Sequence, residues 1–280
     1  MPNMLGRQLR QQLSAGELIT FIGVYDVFSA SIAARHFNGI FISGFSFAAS
    51  HYGLPDIGFI TWSDIVAFTQ RVRTIVPRHH ILVDIDDGYC DPEVASHVVS
   101  LLERMGASGV ILEDQQRPRQ CGHFDGKQIM PLEQYCKKLE KVLDTRRDLL
   151  VVARSDATDK GEVMERSIAY AQTGADAILV DGVKDLSLLQ ELRQATGKPV
   201  VFNQIAGGKS PLHSISEMRR AGVSMVNYST PCLFAAQAAV EKAMIELHAN
   251  DGLLPESPED SELQCCAELL NENLYQRDLP

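Results

Sequence analysis

Short runs rich in Ile, Val and Phe recur along the chain, and each is followed by a longer stretch whose apolar residues fall at helical spacing. The runs are LITFIGVYD (18–26), GIFISGF (39–45), HILVDID (80–86), GVILED (109–114), LLVVARSD (149–156), AILVDG (177–182), PVVFNQ (199–204) and VSMVNYS (223–229). The stretches between them are FSASIAARHF, WSDIVAFTQRVRTIV, PEVASHVVSLLERMG, LEQYCKKLEKVLD, GEVMERSIAYAQTG, DLSLLQELRQATG and SISEMRRAG, and LFAAQAAVEKAMIELHAN (233–250) follows the last run. Eight strands alternating with eight helices predict an α/β fold, a single TIM-type (β/α)8 barrel. Residues 1–250 are expected to form this catalytic barrel and residues 251–280 a C-terminal connector and helix. NDGLLPESPEDS (250–261) is polar with two prolines and reads as an exposed connector. SELQCCAELLNENLYQRDL (261–279) reads as one more amphipathic helix, packed on its own barrel or exchanged with a neighbour's.

In such a barrel the active site lies at the C-terminal ends of the strands. Here those ends are polar: Tyr25 and Asp26, Ser43, Asp84 and Asp86, Glu113 and Asp114, Arg154 and Asp156, Asp181, Asn203 and Tyr228. Any one of them alone is an ordinary cap or loop residue. A ring of them around one mouth calls for positive charge or strongly raised pKa values. The charge is densest between residues 80 and 123, where Asp84, Asp86 and Asp87 close one run and Glu113 and Asp114 close the next. Asp84, Asp86 and Glu113 offer hard oxygens, and the DIDDGY segment has no His or Cys, so Mg²⁺, with Mn²⁺ as its substitute, fits better than Zn²⁺. Mg²⁺ completes its shell with water and substrate oxygens, which suits a bidentate 2-oxo or 2-hydroxy carboxylate. Arg154 either holds a second substrate carboxylate with its planar fork or forms an ion pair with Glu113 or Asp156, and spacing does not separate the two.

The loop RPRQCGHFDG (117–126) contains Gly122 and Gly126 and reads as a lid that closes over the site and excludes water. Cys121, flanked by Arg119 and His123, is expected to be exposed, with a perturbed thiol suited to donating a proton or acting as a nucleophile. An incidental surface cysteine is the alternative. A net charge of -10 without any Lys/Arg run speaks against nucleic acid. The six cysteines show no CxxC pair, and the N-terminus lacks an apolar signal core. No apolar run approaches the roughly 20 residues of a membrane helix. The expectation is a soluble enzyme of the reducing cytoplasm acting on a small carboxylic acid.

The ordered set SGFSFAASHYGLPD, LVDIDDGY, LEDQ, RQCGH, VARSDA, FNQIAGGKSP and VSMVNY resembles the isocitrate lyase and phosphoenolpyruvate mutase superfamily, from about Gly23 to Leu247. Within it the chain looks most like lyases acting on 2-methylisocitrate, dimethylmalate and related alkylmalates. The resemblance implies that Ser43, Gly44 and Phe45 bind the 2-oxo acid carboxylate and that Asp56 closes a gating segment. It implies that Asp84, Asp86 and Glu113 form the Mg²⁺ shell, directly or through water, that Arg154 binds substrate with Asp181 and Asn203 beside it, and that Cys121 and His123 are the catalytic pair. The implied reaction deprotonates a 2-hydroxyl, breaks C2–C3 and protonates the released enolate from the cysteine, giving pyruvate or another 2-oxo acid. Tyr25 and a metal-bound hydroxide are the candidate bases. The family's final helices are exchanged between subunits, which implies a homodimer or homotetramer.

Four positions depart from the family pattern: Arg119 replaces a Lys, Gln120 a basic residue, Asp181 a Glu, and Ala206 the carboxylate of an NxxE-like motif. An Arg is a poor proton shuttle, and Asp181, one methylene short, is expected to lose its contact or route it through water. The departures point to a related substrate or a weakened form of the same chemistry. An oxaloacetate decarboxylase of the same superfamily is the alternative. Phosphonate chemistry fits EDQQRPRQCGH poorly, and a non-catalytic binding protein would bind Mg²⁺ and a 2-oxo acid without turnover.

Overall fold

The computed structural model describes residues 4–253 and 262–277. Eight strands, β1 (Ile19–Val24), β2 (Gly39–Ile42), β3 (His80–Asp84), β4 (Gly109–Glu113), β5 (Leu150–Ser155), β6 (Ala177–Val180), β7 (Val200–Gln204) and β8 (Val223–Tyr228), form a closed parallel barrel in sequence order. The helices are α1 (Leu5–Ser14), α2 (Val27–Ala34), α3 (Gly44–Phe47), α4 (Trp62–Ile75), α5 (Pro92–Arg104), α6 (Leu132–Thr145), α7 (Lys160–Thr173), α8 (Leu186–Thr196), α9 (Ile215–Arg220), α10 (Pro231–Ala249) and α11 (Leu263–Arg277). The expected (β/α)8 barrel is the observed fold.

Most strands stop a residue or two before their apolar runs do, because the polar end begins a turn. At β2 the run breaks where the Ser43 hydroxyl accepts from the Ser46 backbone N–H at 3.3 Å, capping α3, which passes into a π-helical turn over Ala48–Tyr52. Neither α3 nor α1 was anticipated. In α1 only Leu5, Leu9 and Leu13 mark a helical face, and Leu9 and Leu13 plug the floor of the barrel among Phe21, Leu82 and Ile111. Asp148 fixes the plug by accepting from the Gly6 backbone N–H at 2.9 Å.

The strand period of two sorts the side chains into two cores. Val83, Val110, Leu112, Val151 and Ala153 face the helices. Phe21, Phe41, Leu82, Ile111, Val152, Leu179, Val201 and Met225 fill the barrel interior. Two residues further along each strand the next inward position is reached: Gly23, Ser43, Asp84, Glu113, Arg154, Asp181, Asn203 and Asn227. The apolar interior therefore gives way, in a single step, to a layer that is polar on every wall but one.

On that wall a side chain at Gly23 would overlap the backbone oxygens of Tyr228 and Ser229, which cross it as β8 closes onto β1. At the other end of the chain, α11 lies beside α4, with Leu269 buried and Arg35 of α2 reaching Glu272 at 3.7 Å. The expected connector falls largely on residues 254–261, outside the described residues. No helix among the described residues is long and apolar enough to cross a membrane. Because the clash at Gly23 is with backbone, Gly23→Ala should destabilise the fold by about 1–3 kcal/mol. Urea unfolding measures this, and an unchanged midpoint would show that the β1–β8 seam yields freely.

Candidate active site

The polar layer and the loop after β4 build one closed cluster. Asp84, Asp86, Glu113, Arg154 and Asp181 are all buried there, and so are Asp56 and Arg119. Asp86 holds a positive φ of 51°, uncommon for a residue with a side chain, while its carbonyl accepts from the Glu113 N–H at 2.9 Å. Gly44 completes this wall, and a Cβ there would stand 3.2 Å from Asp84 Oδ2 and 3.3 Å from Asp86 Oδ1.

Arg119 points inward to the carboxylates. Its Nε donates to Glu113 Oε1 at 2.8 Å, its Nη2 lies 3.2 Å from Asp86, and its Nη1 donates to Asp56. A guanidinium thus supplies part of the positive charge that the sequence alone assigned to a metal. Arg154 is equally engaged. Nε and Nη2 each donate to Asp156 at 3.0 Å, and Nη2 also reaches Asp181 at 2.9 Å and Glu113 at 3.3 Å. The shorter Asp181 keeps its contacts directly, since it also accepts from Asn203 Nδ2 at 2.9 Å and lies 3.3 Å from His123 Nε2.

The lid lies directly on the Arg154–Asp181 side of this cluster. Any side chain at Gly122 would overlap Asp181 and Arg154, so only glycine lets the backbone between Cys121 and His123 come so close. Lys127, which sequence reasoning passed over, ties the lid down by donating to the Gly122 carbonyl at 2.6 Å and to Asp156 Oδ1 at 2.7 Å. Lys209, in the GGKSP segment after β7, donates its backbone N–H to His123 Nδ1 at 2.9 Å, and Arg117 grips Asp87 through two bonds of 2.8 and 2.9 Å. Gln115 pairs with the Gln120 backbone in both directions, at 2.9 and 3.0 Å.

Cys121 is half-buried, not exposed as the polar loop suggested. Burial pushes its thiol up to about 12, with Asp181 and Asp56 adding to the rise, against the pull of the His123 backbone N–H and of Arg154. A thiol in this state holds its proton, which suits a donor and excludes a resting thiolate nucleophile. Burial likewise pushes Glu113 up to about 7 against the pull of Arg119 and Arg154, and raises Asp84 and Asp86. Burial alone would raise Asp181 and Asp156 too, but Arg154 beside both holds them low, helped by His123 at Asp181 and Lys127 at Asp156.

Both carboxylate oxygens of Asp86 and Glu113 Oε2 are buried without a hydrogen-bond partner, although Asp86 Oδ1 and Glu113 Oε2 each face a guanidinium, Arg119 Nη2 at 3.2 Å and Arg154 Nη2 at 3.3 Å. Together with Asp84 they form a hard-oxygen donor set that fits a divalent cation. Among the described residues no group of three or more His, Cys, Asp or Glu side chains is arranged to hold a metal ion by itself, so a cation here would take most of its shell from water and substrate oxygens. Asp114, which also closes β4, turns away and accepts from Tyr170 at 2.6 Å, Ser155 at 2.8 Å and the Asp156 N–H at 2.9 Å. It buttresses the site from behind. Phe45 lies at the margin, its ring edge-on to Phe234 with centroids 6.4 Å apart. Burial and Asp26 raise the Tyr25 phenol, which stays protonated at neutral pH.

Comparison with known proteins places this geometry among relatives. The family model described as phosphoenolpyruvate phosphomutase matches residues 9–248. The chain is 30% identical to 2,3-dimethylmalate lyase of Eubacterium barkeri, covering 86% of this chain and 83% of that protein. It is 31% identical to 2-methylisocitrate lyase of Aeropyrum pernix, covering 86% and 79%. The solved structure of oxaloacetate acetylhydrolase in complex with the inhibitor 3,3-difluorooxalacetate superposes with a TM-score of 0.91 at 26% identity, over 98% of this chain and 95% of that one.

The carboxylates make the stability of the metal-free protein depend on pH with an unusual sign. Glu113 titrates near 4.5 when unfolded and near 7 when folded, so its contribution is full below the lower value and is lost as pH rises through the upper one. Asp156 and Asp181 act oppositely, but only below their ordinary range. With EDTA present, the melting temperature should fall between about pH 5 and about pH 8. Mg²⁺ should restore it at the upper end, and Glu113→Gln should flatten the slope. A melting temperature that rises over the same interval contradicts this.

Proposed function

Because the chain belongs to the phosphoenolpyruvate phosphomutase family of the isocitrate lyase superfamily, we propose that it is a Mg²⁺-dependent carbon–carbon lyase. Its substrate in this reading is a 2-hydroxy di- or tricarboxylic acid of the alkylmalate or 2-methylisocitrate type, cleaved to a 2-oxo acid and a carboxylate. The observation that carries the reading is the lid backbone at Gly122, which sets Cys121 beside the Arg154–Asp181 cluster, where burial raises the thiol. Such a group serves a reaction that ends by protonating carbon.

Asp84, Asp86 and Glu113 would hold the Mg²⁺, whose chemistry is to draw charge from the 2-oxygen and the adjacent carboxylate. Ser43 and Gly44 abut that wall and offer backbone and hydroxyl groups to the same carboxylate, with Phe45 at its margin. Arg154, with Asp181 and Asn203 setting its position, orients the distal carboxylate. His123 bridges Asp181 and the Lys209 backbone, and so fixes Cys121 at the centre of the closed lid. Asp56, paired with Arg119, seals the gating side. The 2-hydroxyl gives up its proton as C2=O forms and C2–C3 breaks, and the electron pair of that bond leaves as the enolate of the departing carboxylate. The Cys121 proton moves to that carbon, and the hydroxyl proton returns through water to the thiolate left behind. The likeness to oxaloacetate acetylhydrolase supports a second reading, in which carbon–carbon cleavage of oxaloacetate proceeds on the same metal and clamp.

The chain is further proposed to work as an oligomer. None of the residues of α10 is buried, and Val240, Met244 and Ile245 are each more than half exposed. A second copy covering α10 would bury that face, with α11 exchanged or swung across. A protein ending at Asn250 should then lose its oligomeric mass in size exclusion with light scattering, and an unchanged mass rules out the exchange.

The activity is tested by coupled detection of the 2-oxo acid released from 2,3-dimethylmalate and 2-methylisocitrate, and by the loss of oxaloacetate itself, each with and without Mg²⁺. Metal-dependent cleavage of an alkylmalate is the expected result, and turnover of oxaloacetate alone transfers the assignment to the second reading. Cys121→Ser should lower alkylmalate cleavage by about 100-fold or more while sparing decarboxylation.

A further inference from the structure

Asn227 occupies the inward position of β8 in the polar layer, in register with Asn203 on β7, and is 1% exposed. Paired strands stand about 4.8 Å apart, so the two amides are neighbours. Their bonding differs. The Asn203 carbonyl accepts from Ser229 Oγ at 2.6 Å and its amino group donates to Asp181 at 2.9 Å, which commits a side chain expected from sequence to bind substrate. Asn227 has a hydrogen-bond partner at neither Oδ1 nor Nδ2.

Burying an amide with both ends unpaired is costly, and an apolar residue of similar shape would avoid the cost. A chain that keeps such a group beside its catalytic layer is sacrificing stability at a ligand's position. We propose that Asn227 is a substrate-contacting residue whose amide pairs with one acceptor and one donor of the ligand, selecting a 2-hydroxy acid over a 2-oxo acid. The amino group donates to a carboxylate or keto oxygen, which either class offers. The carbonyl needs a donor, which only the hydroxyl provides. Over an oxo acid Oδ1 stays unpaired, and sites built to bond a hydroxyl strongly reject analogues lacking it. The assignment rests on the reading of the mouth as a hydroxy-acid or oxo-acid site, and it favours the lyase over the oxaloacetate alternative.

A crystal of the native protein with Mg²⁺ and malate should place malate oxygens within about 3.2 Å of both amide atoms. Malate bound in the mouth, with ordered water on both atoms instead, overturns the assignment and leaves the hydroxy-acid reading standing. In solution, Asn227→Leu should keep or raise the urea midpoint while weakening malate roughly tenfold or more by calorimetry, with oxalate, which has no hydroxyl, changed far less. A variant that unfolds more readily yet binds both probes as the native protein does makes Asn227 a core residue and ends the proposal. If the native protein binds neither probe and cleaves no alkylmalate, the functional reading falls, and the assignment with it.

Discussion

Buried carboxylates must be matched at close range by positive charge, and the closed mouth of this barrel is organised by that requirement. Asp56, Asp84, Asp86, Glu113, Asp156 and Asp181 converge there, and the fixed cations facing them are Arg119, Lys127 and Arg154. Arg119 belongs to the lid loop and Lys127 directly follows it. The seat of this loop and the balance of charge therefore depend on the same contacts, and the surplus of negative charge is the electrostatic case for a divalent cation. The raised Glu113, Asp84 and Asp86 and the depressed Asp156 and Asp181 are two faces of this uneven distribution.

The same constraint sets the chemistry open to Cys121. In a loop with basic neighbours a thiol would ionise easily, but here burial, with Asp181 and Asp56, outweighs the pull of Arg154 and the His123 backbone. In the proposed reaction the form needed is a thiol that still carries its proton, since a thiolate has none to give to carbon. Asp181 illustrates the tolerance of the arrangement, since the loss of a methylene is absorbed by direct pairing with Arg154, Asn203 and His123.

The barrel was legible because its signal is local and repeated: eight apolar runs, each ending in polar residues and followed by a helix. Asp84, Glu113, Arg154, Asp181 and Asn203 were legible for the same reason, as strand-end residues. Asn227 was missed although a signal existed, because the reading took Tyr228 as the polar end of the last run. Counting inward positions from Met225 would have chosen its neighbour. The destinations of Arg119 and Lys127 had no such signal. Loop side chains follow no period, and their direction is settled by charges brought together from β3, β4 and β5. The helix α1 was hidden in a mostly polar stretch with three leucines, whose burial depends on a barrel floor that exists only after folding.

The polar layer takes one side chain from each of seven successive strands, β2 to β8, and its eighth place is a glycine covered by the β8–β1 seam. No half-barrel contains it. Strands far apart in sequence must first meet, and the slow search for such long-range pairs is a general cost of this topology. Helices and individual strand pairs can form while the layer is still open, with carboxylates solvated and apart. The charged members stand at the ends of β3 to β6 and the uncharged ones at those of β2, β7 and β8. The whole layer is therefore complete only when the last strand finds the first, and regained full activity marks closure of the barrel rather than recovery of its secondary structure.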